Sequence, residues 1–235
     1  MEVLFFCLVG GLLATDTEAF GQTMISQPFV ACAIAGILFG DFVLGCTIGI
    51  VFQLLFMIEI PVGGVRLFLT NIGAYVAAGV SISFKKSLLI SLDPGSNESL
   101  YLLIAVLYGT LLGWLGRPIR DFSRKLNLYV LQMAEKNIEN GNATSVGLWN
   151  FLGVINAFLM GVVIVGLGYA VANTILNLFS DFSPTALIGL TRYFLPGLFG
   201  TLAGILLFFF RRQGKFTLWG SLVGFVVLAS ILLNR

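Results

Sequence analysis

The side chains able to do chemistry in this chain are few, because 58% of its 235 residues are hydrophobic and only 10% are charged. A set of carboxylates and amides lies near one end: Asp16, Glu18, Gln22, Gln27, Asp41, Gln53, Glu59 and Asn71, with Arg66 among them. Their chemistry is hydrogen bonding rather than covalent catalysis. The sequence contains no histidine, which excludes a phosphohistidine carrier, a Ser-His-Asp hydrolase and any His-ligated metal in this chain. No Walker A or dinucleotide fingerprint is present. Cys7, Cys32 and Cys46 lie inside apolar runs without a CxxC spacing, and read as small buried residues. No catalytic residue, metal or cofactor is expected. Energy from ATP or phosphate would have to enter through another chain. The net charge of +2 comes with no basic RNA- or DNA-binding motif, so nucleic acid is not expected as a partner.

The elements that must position these groups are membrane helices. A soluble domain carries about 25% charged residues, far more than this chain. Uncharged runs cover Leu67–Phe84, Ser99–Gly116, Val146–Ser180, Tyr193–Phe210 and Phe216–Asn234. Most are long enough to span a bilayer, and none alternates as a β-barrel strand would. Val3–Ala14 follows Glu2 with no basic residue before it, and reads as a retained membrane segment rather than a cleavable signal.

The first seventy residues are broken up differently. Short apolar runs alternate with polar residues and with Gly36, Gly40, Gly45, Gly49, Gly63, Gly64 and Gly73, and Pro28 and Pro61 each follow a polar break. Pro28–Gly40 is an oily run of thirteen residues. As a helix it reaches only about 20 Å, against a hydrocarbon core of about 30 Å. Irregular backbone at membrane depth survives where it is buried in protein or lines a wet cavity. Short Gly/Pro-interrupted segments point to a transporter's binding site. The polar half of "AFGQTMISQPFVACAIAGILFGD" therefore reads as a re-entrant approach to a site, and the oily half as one arm of a hairpin. The plainer alternatives are Gln22 and Gln27 in an interfacial loop and Asp41 as a helix cap.

One long polar interruption, Gly116–Ser145, carries Ile119, Phe122, Leu126, Val130, Met133 and Ile138 on one apolar face. Pro118 suits its first turn and Gly141 the residue after its end. Arg117, Arg120, Arg124 and Lys125 crowd its start, which places an amphipathic surface helix on the cytoplasmic side; reception of a soluble partner is a further step. Arg211, Arg212 and Lys215 form a second basic cluster, returned to the same face by two crossings. "DPGSNES", Asp93–Ser99, reads as an outward-facing turn, but Lys85 and Lys86 are too near it to be placed on the other face.

"DTEAFGQTMISQPFVACAIAGILFGD", then "LGCTIGIVFQLLFM", then "IPVGG", resembles the IIC subunit of the mannose (mannose/fructose/sorbose) family of the sugar phosphotransferase system. The resemblance covers nearly the whole chain, including the amphipathic segment ending in "ENGN" and the closing spans. It implies a multi-pass protein of the bacterial cytoplasmic (inner) membrane. Such a IIC subunit forms a sugar pathway with a IID membrane subunit, in an oligomer of IIC–IID pairs with an elevator-like moving domain. Phosphorylated IIB, supplied by IIA, delivers phosphate to the sugar. By position, Asp16, Gln22 and Gln53 fall where the family keeps polar groups near a hexose or amino sugar. Asn71 is added as an amide in an apolar run. Amides and carboxylates suit hydroxyls, which both donate and accept.

The chain departs from the family at three points. Gln27 stands where the family has Arg before the proline, Gln53 where it has Glu, and "VRLFLT" brings in Arg66 near an expected acidic residue. If the Arg and Glu form a pair in the family, losing both leaves no orphan charge. The expected fold is thus an all-α polytopic membrane bundle, one membrane domain over residues 1–235. Residues 1–84 form its site-bearing half with short re-entrant or broken helices, 117–145 an amphipathic cytoplasmic segment, and 146–235 the C-terminal spans. Two further functions stay open: a transport-defective scaffold or sensor of the phosphotransferase proteins, and an unrelated secondary carrier.

Overall fold

The computed structural model describes residues 2–57, 68–88, 98–142, 146–178 and 184–210, with residues 219 and 226. Glu59, Arg66, the "IPVGG" turn, Asp93–Asn97, the cluster of Arg211, Arg212 and Lys215, and nearly all of the Phe216–Asn234 run lie outside the described residues. Among the described residues eight helices follow one another: α1 (Glu2–Glu18), α2 (Pro28–Phe39), α3 (Phe42–Leu55), α4 (Thr70–Leu88), α5 (Glu98–Leu115), α6 (Arg117–Glu139), α7 (Val146–Leu178) and α8 (Pro184–Phe210). Among the described residues there is no strand. The all-α bundle expected from the sequence is what the chain forms. Among the described residues, 98–139 and 146–175 are stretches long and apolar enough to cross a membrane, while α2 and α3 are apolar but short.

α2 and α3 form the hairpin foreseen from the sequence. Pro28 opens α2, and Gly40 ends it in the left-handed conformation at φ 74°, which glycine adopts without steric cost. The two arms then lie backbone to backbone. A Cβ on Gly45 would meet the Cys32 carbonyl oxygen at 2.6 Å and the Gly36 Cα at 2.8 Å. Small residues at such contacts allow the close approach that packing in lipid requires. The hairpin packs on α4, α1 packs on α7, and α4 on α5.

The core joins these layers through aromatic rings. Phe6 stacks on Tyr75 with centroids 4.3 Å apart and meets Phe39 edge-on at 5.0 Å. The Tyr75 hydroxyl donates to the Phe6 carbonyl at 3.0 Å, satisfying a polar group that is fully buried. On α7, Leu159, Val163, Leu167, Val171 and Ile175 remain exposed at steps of four, an apolar stripe suited to lipid.

The packing defines two ends. At one, Glu18 closing α1 ion-pairs with Arg120 of α6, and the Leu69 N–H donates to the Gly113 carbonyl at 3.1 Å. At the other, Asp41 at the hairpin tip meets Lys85 at 2.6 Å. Lys85 and Lys86, which the sequence left unplaced, thus occupy the last turns of α4, where positive charge complements the helix dipole. Asp41 also accepts from Leu44 N at 3.0 Å and caps α3, the plainer of its two readings.

α6 begins with Pro118 in its first turn and is followed by Gly141 at φ 78°, as the sequence suggests. The face that packs differs from the apolar face read there. Ser123 and Ala134 are buried, and Asn156 of α7 donates to the Ser123 carbonyl, the Ser123 hydroxyl and the Asn127 side-chain oxygen. Phe122, Leu126 and Ile138 stay exposed. Small and polar residues let α6 approach α7, and the apolar stripe lies beside that seam.

Candidate functional site

A cavity of about 520 Å³ lies at the α6 end of the bundle, within the size range of small-molecule sites. Its wall is contributed by the end of α1, the segment from 19 to 27, the start of α2, the end of α3, the start of α4 and Arg120 of α6. Asp16, Gln22, Gln53 and Asn71, singled out from the sequence, all line it. They come from four separate stretches of chain.

Asp16 sits in the last turn of α1. Its Oδ1 accepts from the Thr23 N–H at 2.7 Å and the Thr23 hydroxyl at 2.6 Å, and its Oδ2 accepts from the Ser26 N–H at 3.1 Å. Charge-assisted bonds of this kind are about twice as strong as neutral ones. They fold residues 19–27 back over the cavity. Gln22 there has φ 48° and Met24 φ 66°. Such left-handed backbone costs of order 1–3 kcal/mol at each non-glycine residue and clusters at functional sites.

Gln53 lies two residues before the end of α3. Its side-chain Nε2 donates to the Gln27 Oε1 at 3.1 Å, and its Oε1 accepts weakly from the Phe29 N–H at 3.5 Å. Two of the three positions at which the sequence departs from the resembled pattern are therefore partners in space. Gln27 is the N-cap of α2 but makes no side-chain cap bond, so Gln53 supplies the acceptor for an N–H that α2 leaves unpaired. Gln53 consequently both bridges two helices and faces the cavity.

Phe52 and Phe56 stack with centroids 5.9 Å apart, and Phe56 approaches Phe68 at 6.3 Å, giving the cavity an aromatic wall. The Arg117 guanidinium lies over the Phe68 ring at 3.7 Å, a cation–π contact. Arg120 and Glu18, ion-paired, line the same cavity. Thr70 and Ser26 line it as well. No local feature brings Arg120, read as part of a surface cluster, beside Glu18 about a hundred positions earlier. No pattern of spacing carries such a contact.

The cavity combines neutral amides, hydroxyls, carboxylates already engaged and aromatic faces. It offers donors and acceptors to a polar solute. Among the described residues no three His, Cys, Asp or Glu side chains converge as a metal site would require.

A polar cavity set among short broken helices in an apolar bundle is the architecture of a membrane solute pathway. The chain matches the family described as the sorbose-specific IIC component of the phosphotransferase system over residues 1–207, and it belongs to that family. It is thus a membrane-embedded permease component of sugar transport, in the wider group that the N-terminal motif resembles. No curated protein matches the chain.

Proposed function

We propose that this IIC subunit forms, with a IID subunit, the pathway by which a hexose or amino sugar enters a bacterium across the cytoplasmic (inner) membrane. The sugar is phosphorylated by IIB, itself charged by IIA, as it reaches the cytoplasm. The sugar lies in the 520 Å³ cavity against Gln22, Gln53 and Asn71, with Asp16 in the same wall. The observation that carries this reading is that polar residues from four stretches of chain meet in one cavity of a sugar-transport family member. The chain crosses the membrane several times, and the basic start of α6 marks the cytoplasmic end. The cavity, lined by Arg120, lies at that same end.

Uptake by the purified IIC–IID complex with IIA and IIB, over a panel of hexoses and amino sugars, tests the reading. Phosphorylated sugar is expected inside vesicles only when IID and phosphorylated IIB are both present. Coupled uptake without IID overturns the two-subunit pathway. The altered pair at Gln27 and Gln53 favours one second reading, a scaffold or sensor that no longer transports. Partner binding without uptake of any sugar would select it. Topology is read separately, with a cysteine at Arg124: labelling from inside is expected, and labelling only from outside overturns the assignment of ends.

A further inference from the structure

The Asp16 carboxylate has about four acceptor sites, and three are taken by donors of one short segment: the Thr23 N–H, the Thr23 hydroxyl and the Ser26 N–H. That segment, residues 19–27, joins the end of α1 to the N-cap of α2. It passes through three left-handed residues, Gly21 at φ 99°, Gln22 at φ 48° and Met24 at φ 66°. Its other backbone bonds lie at its margins: Ala19 N and Phe20 N donate to the Thr15 carbonyl, Gln27 N donates to the Met24 carbonyl, and the Gln27 carbonyl accepts from Ala31 N. Left-handed conformation at Gln22 and Met24 persists only where the surroundings impose it. Here the imposing group is one carboxylate, seven residues from Thr23 and ten from Ser26.

We propose that Asp16 is a positioning residue, which shapes the 19–27 strap and so delivers Gln22, Ser26 and Gln27 to the cavity, setting sugar affinity through them rather than by gripping the sugar itself. This rests on the reading of the cavity as a sugar site. It separates Asp16 from Gln53, whose side chain meets the cavity with only one firm bond, to Gln27.

The test uses the full chain assembled with its IID partner in lipid nanodiscs, with amide hydrogen exchange of residues 19–27 and equilibrium binding of the panel sugars as paired readouts. Asp16→Asn turns an N–H toward the Ser26 N–H or withdraws an acceptor from Thr23. Exchange of the strap in sugar-free protein is expected to rise, with the α2–α3 hairpin unchanged, and sugar affinity to fall roughly tenfold. Thr23→Val keeps the carboxylate and removes one donor, so it should move both readouts the same way by a smaller factor. If Asp16→Asn fails to assemble, Thr23→Val decides by the same pair of measurements. Lowered affinity with unchanged strap exchange would make Asp16 a direct ligand and overturn the proposal. A loosened strap with full affinity would overturn it too. A wild-type complex that binds no sugar overturns the sugar-site reading, and is told apart because strap exchange still responds to Asp16→Asn.

Discussion

The two ends of the α2–α3 hairpin are treated in opposite ways. At the tip the chain turns through Gly40, Asp41 caps α3 through Leu44 N, and the same carboxylate holds Lys85 at 2.6 Å. At the open end Pro28 begins α2, Gln27 makes no cap bond, and two neutral amides meet at 3.1 Å. Charge is placed where one helix pair must stay fixed against its neighbour. Between the two arms at the open end, beside the cavity that also holds the Asp16 carboxylate and the Glu18–Arg120 pair, the contact is made by neutral amides, for which a hydroxyl-bearing solute would compete on the reading we propose. A group that both donates and accepts can exchange its protein partner for a sugar hydroxyl with little change in satisfied bonds. An ion pair gives up more when it opens, because each charge is left desolvated.

The largest effect expected from this contrast is on stability, at the tip. Asp41→Ala removes the α3 cap and leaves Lys85 without its partner, with both side chains about a fifth exposed. The combined loss is about 2–4 kcal/mol. Lys85→Met should cost less, because Asp41 keeps its bond to Leu44 N. Thermal unfolding of the detergent-solubilised complex checks both, and sugar affinity of the folded fraction should be unchanged. A tip variant that loses sugar affinity but not stability would break the division of labour.

At the open end the expected loss is in binding. Gln53→Leu removes the donor to Gln27 and an acceptor for the Phe29 N–H. The orphaned groups and the loss of the sugar contact we propose together correspond to about 1–3 kcal/mol, a five- to 150-fold fall in affinity. The complex should still assemble, since the close backbone contact of α2 with α3 at Gly36 and Gly45 does not use the Gln53 side chain. Equilibrium sugar binding on the assembled variant measures it. Unchanged affinity would leave Gln53 only its bridging role.

How much of this was legible in the sequence differs between the two ends in the same physical terms. The hairpin could be read because run length against bilayer thickness and the Gly40 and Pro28 punctuation are local signals. The polar set could be read because an amide in an apolar run stands out wherever it sits. The Asp41–Lys85 pair could not, since its partners lie 44 positions apart and nothing local couples them. The packed seam of α6 also escaped, because Ser123, Asn127 and Ala134 carry no apolar signal; they pack because they are small or can bond Asn156. The role of Asp16 was hidden for a related reason: residue type marks a carboxylate as functional, whereas only the fold shows that its bonds run to its own strap.

The smallest effect, and the sharpest discrimination, concerns the pairing of Gln27 with Gln53. The resemblance implies an arginine and a glutamate at these positions, and here the two amides touch. Gln27→Arg alone sets a cation beside an amide. Gln53→Glu alone sets an anion there, which accepts hydrogen bonds but cannot donate to Gln27 or to sugar. Together they can form the ion pair, with its positive member at the N-cap of α2 and its negative member positioned to accept from the Phe29 N–H. That placement favours the anion, because the N-terminal end of a helix carries partial positive charge. The four proteins of the cycle, wild type, both single variants and the double, should therefore be non-additive in sugar affinity by about 1 kcal/mol, roughly fivefold. The double variant should also shift the order of preference across the sugar panel, because a carboxylate replaces a donor–acceptor amide at the cavity wall. Additivity within about 0.3–0.5 kcal/mol would mean that the two positions act independently. Coupling seen in thermal stability but not in affinity would assign the pair to holding α2 against α3, leaving sugar recognition to Gln22 and Asn71. Coupling in affinity ties the departure from the family pattern to the choice of sugar, and it would do so through a contact at the open end of the hairpin while the charged tip stays unaltered.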